Sequence, residues 1–186
     1  MSKRKNRWLK VALVLSLLSI AVGCDRNASN GSTSGGIADL GPAPAVSFRN
    51  LDGQTVNLAQ YHGKVVLVNF WATWCEPCKA EIPDLIQIQK KYGNRNFTVL
   101  GVAMDQEGKS VVAPFAAKPQ FVVAGQTVAM DYPIVLGTDQ IATQFGGIIG
   151  LPTSYVISKN GQVVKRVIGM IDPQEIDRLI QQLLSS

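Results

Sequence analysis

The hydrophobic pattern divides the chain into a leader, a polar stretch and a long patterned body. Apolar residues run from Val11 to Val22, interrupted only by Ser16 and Ser19. Residues 25–41, "DRNASNGSTSGGIADLG", then carry almost no large apolar side chain. Such a segment cannot bury enough surface to offset its chain entropy, so residues 24–41 are expected to form a flexible linker. Beyond Pro42 the pattern becomes that of a folded domain. "VSFRN" and "QTVNLAQ", joined through Asp52-Gly53, predict an N-terminal β-hairpin. "KVVLVNFWA" and "FTVLGVAM" are continuous apolar runs, the pattern of strands covered on both faces. Between them, residues 76–92 carry Leu85, Ile86 and Ile88 among Gln and Lys and stop at Gly93, which predicts a helix. Pro83 should kink it, because proline cannot donate to the carbonyl of Lys79.

A second helix is expected over about 108–118, whereas residues 119–131 fit no single pattern. "YPIVLG", "SYVISKNG" and "QVVKRVIG" predict strands, the last two joined at Asn160-Gly161. Pro173 suits the first turn of a closing helix that runs to about Leu184. The order β-α-β, helix, β-β-α implies an α/β domain over residues 42–186, a central mixed β-sheet with helices on both faces and the hairpin as its N-terminal extension.

Charge changes the picture only at the leader. The net charge of +5 comes from Lys3, Arg4, Lys5, Arg7 and Lys10; the remainder holds 13 basic and 13 acidic residues. A body so balanced gives no basic face for phosphate, so no nucleic-acid partner is expected. A basic segment, an apolar run of 12 residues and "AVGC" follow the order of a secretory signal peptide. The run is shorter than the roughly 17–25 residues that span a bilayer. Gly23-Cys24 resembles a bacterial lipoprotein signal, which implies that residues 1–23 are removed and that Cys24 carries lipid. An uncleaved anchor helix and simple secretion are the alternatives. Asp25, after that cysteine, resembles the signal that retains a lipoprotein in the inner membrane of Gram-negative bacteria. The expected location is extracytoplasmic, tethered to the cytoplasmic membrane through a lipid anchor.

With Cys24 set aside, Cys75 and Cys78 are the cysteines left, so no staple between distant elements can form. A zinc site would need four ligands, and the chain adds only His62, which lies in the polar turn "QYHGK" and reads as a solvated loop residue. No metal is expected. Two cysteines three residues apart at a helix start bring their sulfurs within bonding distance, and the first lies where backbone amides favour a thiolate. Cys75 is therefore expected to be the exposed nucleophile and Cys78 the inward resolving thiol, with Pro77 in the first turn. The working group is this dithiol itself, with no added cofactor.

"VVLVNFWATWCEPCKAEIP" and "GLPTSYVISKNGQVV" resemble the active-site segment and proline loop of the TlpA/ResA-like thiol-disulfide oxidoreductases, within the thioredoxin superfamily. The resemblance covers most of residues 42–186 and is loose over about 110–130. It implies a thioredoxin fold, a cis Leu151-Pro152 bond lying against the cysteines, and Leu151 backbone groups offered to an extended substrate. Trp74, Glu76 and Pro77 would border that surface; Trp71 could join it or belong to the core. Asn69 stands where cytoplasmic thioredoxins resemble one another in a buried aspartate, and Glu81 is what the TlpA/ResA-like group shows instead. Glu81 is thus expected either to relay a proton for the pair or to be a solvated helix carboxylate.

The implied partners are disulfide-bonded client proteins, apocytochrome c among them, and a membrane electron donor. Glu76 beside Cys75 and Glu81 one turn on, with no histidine or arginine between the cysteines and Lys79 screened by water, disfavour the thiolate, so the expected activity is reduction of protein disulfides. A thiol peroxidase of the same fold is the rival, although such proteins resemble "TxxC" here and Cys75 takes the first position of that motif. A non-catalytic adaptor that only holds partners is the third reading.

Overall fold

A computed structural model describes residues 38–186. The expected signal peptide, Cys24 and most of the expected linker lie outside the described residues. The order of elements is β1 (Ser47–Asn50), β2 (Thr55–Asn57), β3 (Val65–Trp71), α1 (Glu76–Tyr92), β4 (Phe97–Ala103), α2 (Lys109–Ala117), β5 (Phe121–Val123), β6 (Gln126–Val128), β7 (Ile134–Leu136), α3 (Asp139–Gln144), β8 (Thr153–Ile157), β9 (Val163–Ile168) and α4 (Pro173–Ser185). Seven strands form one mixed sheet in the order β2-β1-β7-β4-β3-β8-β9, while β5 and β6 pair separately. The central strands β3, β4 and β7 are parallel, β8 runs antiparallel to β3, and β9 pairs antiparallel with β8.

Burial follows from the alternation of side chains along each strand. Val65, Leu67 and Trp71 of β3 pack with Ile82, Leu85 and Ile86 of α1 and with Ile176 and Ile180 of α4. Val66, Val68 and Phe70 face the other way, onto Phe48, Ile141 and Phe145. Helices therefore cover both faces, and this is the thioredoxin fold that the sequence implied.

Three details depart from the sequence expectation. The second arm of the hairpin is a strand only to Asn57; Leu58–Tyr61 form a 3-10 turn that buries Leu58 in the second core. Residues 121–128 form a small hairpin whose turn, Ala124-Gly125, has φ of 50° and 77° at its two positions. Two positive φ values are the requirement of a type I′ turn, and alanine there gives no sequence signal for it. Helix α3 spans six residues, too short for a period to show; Thr138 starts it by accepting the Ile141 N–H at 3.2 Å.

The expected linker also ends earlier than residue 41. The Leu40 N–H donates to the Val163 carbonyl at 2.8 Å, and the Val163 N–H donates to the Gly41 carbonyl at 2.8 Å. Residues 40–43 thus add a backbone-paired edge beside β9, because β9 would otherwise leave those groups unpaired.

Candidate active site

Strand β3 is buried along all seven residues and delivers the chain, at Trp71, to the end of the sheet. A three-residue loop, Ala72–Trp74, turns it into α1. Cys75 is the N-cap of that helix, and its sulfur accepts the Cys78 N–H at 3.3 Å. Pro77 lies in the first turn, where its missing N–H has no intrahelical partner to lose. Cys75 and Cys78 form a disulfide with a Cα–Cα separation of 5.3 Å.

One expectation needs correction here. In this oxidised state Cys75 is only 5% exposed, against 2% for Cys78, so the first cysteine is not an exposed residue. What distinguishes the two is position: Cys75 borders an open groove of about 680 Å³, and Cys78 does not. Trp74, Met104, Ile148, Ile149 and Leu151 form its apolar lining, with Glu76 and Asp139 also on its wall. Trp74 and Ile149 are 65% and 81% exposed, an apolar surface in the groove that Cys75 borders. Trp71, by contrast, is wholly buried and belongs to the core. The Leu151-Pro152 bond is cis; Leu151 lines the groove with Cys75, and Pro152 is buried.

Glu81 is one turn after Cys78, on the same face of α1. It is 1% exposed, so it is not a solvated carboxylate. One oxygen accepts the Asn69 side-chain amide at 2.7 Å and the other accepts the Ile171 N–H at 2.7 Å. Asn69 also donates to the Ser154 hydroxyl at 2.9 Å. Burial raises the Glu81 pKa to about 7; the Ile171 and Asn69 donors oppose the rise and Asp84 adds to it. Asn69, at the position of a buried aspartate in cytoplasmic thioredoxins, is here one of the residues that hold Glu81. Its signal was present: a lone amide inside "VVLVNFWA" must find a buried partner. Ser154, inside the buried run of β8, carries the same signal. Met104, Asp139, Ile148 and Ile149 had none, because only the fold brings their loops to the cysteines.

Glu76 pairs with Lys79 at the surface of α1. His62 is exposed in its loop and does not line the groove. Among the described residues no group of His, Cys, Asp and Glu is arranged to hold a metal ion.

A disulfide at the amino end of a helix, beside an open apolar groove and ahead of a buried carboxylate, can exchange with a disulfide or dithiol brought to that groove. The thioredoxin fold and this pair define a thiol-disulfide oxidoreductase. The chain belongs to the AhpC/TSA family, whose profile matches residues 41–166. It is 29% identical over 182 residues to the thiol-disulfide oxidoreductase ResA of Geobacillus thermodenitrificans, a match that spans 97% of this chain and 98% of that protein. A thiol:disulfide interchange protein of the thioredoxin family from Chlorobium tepidum is 35% identical, with a TM-score of 0.65 over 77% of this chain and 95% of its own. The exposed lipoprotein thioredoxin Etrx1 of Streptococcus pneumoniae is 25% identical, with a TM-score of 0.58 over 75% of this chain and 99% of its own.

Proposed function

We propose that this oxidoreductase is a reductant of protein disulfides, held outside the cytoplasm on the cytoplasmic membrane by lipid on Cys24. The observation that carries the direction is the charge around the pair. Glu81 is buried one turn on and Asp139 lines the groove, while Glu76 and Lys79 pair and offset each other. Carboxylates disfavour a thiolate at Cys75, and a poorly stabilised thiolate makes the dithiol give up electrons readily.

In the reaction, the Cys75 thiolate attacks one sulfur of a client disulfide and the other client sulfur leaves as a thiolate. The Cys78 thiolate then attacks the Cys75 sulfur, which releases the second client sulfur and closes the Cys75–Cys78 bond. Two electrons pass to the client. Glu81 takes the proton that Cys78 loses; a carboxyl with a pKa of about 7 can hold or release one near neutrality. No cofactor beyond the cysteines takes part. A membrane partner carrying electrons must restore the dithiol, since an oxidising compartment would not. We place apocytochrome c among the clients, and the tether follows from the lipoprotein-like leader, which the lipoprotein Etrx1 parallels.

Equilibration with glutathione tests the direction. We expect a potential of roughly −220 to −280 mV, on the scale where thioredoxin is about −270; a value above about −150 mV overturns the proposal. Catalytic reduction of insulin separates this reading from an adaptor, which would not turn over.

A further inference from the structure

The loop that presents Cys75 is held by a residue outside the cysteine motif. Asp105 follows β4 and is 5% exposed, yet the described residues include no ion pair on it. Its carboxylate instead accepts the Thr73 N–H, at 3.1 and 3.2 Å to its two oxygens, and the Thr73 hydroxyl. The neighbouring Met104 N–H donates to the Trp71 carbonyl at 2.8 Å, and the Cys75 N–H closes the loop onto the Ala72 carbonyl at 3.1 Å. The β3–α1 loop is therefore fastened to the end of β4 at two successive points. One of them is a side chain, and it is a carboxylate kept from water with only an amide and a hydroxyl as partners. Such a group is unfavourable to bury, and a neutral acceptor would satisfy the same two donors.

We propose that Asp105 is a positioning residue for the exchange reaction: through Thr73 it fixes the loop that presents Cys75, and its buried charge biases the pair toward the disulfide. This inference rests on the oxidoreductase activity and deepens the proposed direction. Thr73 lies two residues before Cys75, so their Cα atoms are at most about 7.6 Å apart. A unit charge about 10 Å away, at an effective dielectric of about 20, moves a thiol pKa by about one unit. The other charged groups around Cys75 are Glu76 and Lys79 on α1, Glu81 behind the pair and Asp139 on α3. Glu76 and Asp139 are exposed and screened, and Glu76 is offset by Lys79; Asp105 is buried and has no such offset.

The test is the pH profile of Cys75 alkylation in the reduced protein, together with its equilibrium constant against glutathione. In Asp105→Asn the amide oxygen can still accept from Thr73, and Asp105→Ser provides a second charge-free variant should the first not fold. We expect the alkylation midpoint to move down by about 0.5 to 1 unit in either, and the equilibrium to shift three- to tenfold toward the dithiol. Thr73→Val, which keeps the charge and removes the hydroxyl, should slow insulin reduction several-fold with the midpoint in place. An Asp105 variant that folds with the wild-type midpoint and equilibrium constant overturns the proposal, even if its rate falls. Failure of the underlying activity would appear separately, as wild-type protein that does not reduce insulin.

Discussion

Replacing Glu81 by Gln should change how stability depends on pH more than it changes stability at any one pH. The wild-type carboxyl has a folded-state pKa of about 7, raised by burial from 4.5. Between those values the folded state keeps a proton that the unfolded state has released, so stability falls as pH rises through the window and the loss is complete above about 7. A rise from 4.5 to about 7 corresponds to about 3 kcal/mol at 1.36 kcal/mol per unit. At 1% exposure, solvent screening takes little from this figure. Glutamine keeps one oxygen for either the Asn69 amide or the Ile171 N–H but turns its own N–H groups toward the other donor. That conflict costs about 1–3 kcal/mol at every pH. Guanidinium unfolding of oxidised wild-type and Glu81→Gln protein between about pH 4 and 8 should therefore give a difference that changes by about 3 kcal/mol, with the variant gaining relative to wild type as pH rises. Curves that run parallel within about 0.5 kcal/mol across the range would refute the reasoning, because the carboxyl would then titrate alike folded and unfolded.

Three further outcomes are expected. In the reduced protein Cys75, at the N-cap and on the groove, should alkylate at least tenfold faster than Cys78, and Cys78→Ser should accumulate mixed disulfides with clients through Cys75; equal rates by peptide mapping would contradict the assignment. Gly101→Ala would place a methyl 3.0 Å from the Tyr132 ring and 3.1 Å from the Trp71 indole nitrogen, both buried, and should lower stability by about 1–3 kcal/mol in denaturant titration. Mass spectrometry of the protein from membrane fractions should find Cys24 as an acylated N-terminus, and an unmodified Cys24 there would remove the lipid tether.

The elements whose signal is local could be read from the residues alone. Apolar runs set β3 and β4 because both faces of those strands are buried, and the spacing of Cys75 and Cys78 set the redox pair because a helix start alone brings such residues together. Pro173 marked a helix start through its fixed φ and missing N–H, and Gly93 marked the end of α1 through its low helix propensity. Short or atypical pieces escaped for the same reason in reverse: α3 has six residues, and the Ala124-Gly125 turn adopts a geometry that alanine does not advertise. The cysteines' surroundings were decided only by tertiary structure. Whether Glu81 was solvated depended on Asn69, 12 positions away, and on Ile171, 90 positions away. Whether Trp71 faced substrate depended on the pleat of β3, which turns it into the core, while Trp74 in the following loop stays outside. Asp105 reaches Thr73 across 32 positions because β4 pairs in parallel with β3 and ends beside it. Burial and charge at a site are properties of what the fold packs around it, and a linear pattern carries them only where a polar residue interrupts an apolar run, as at Asn69.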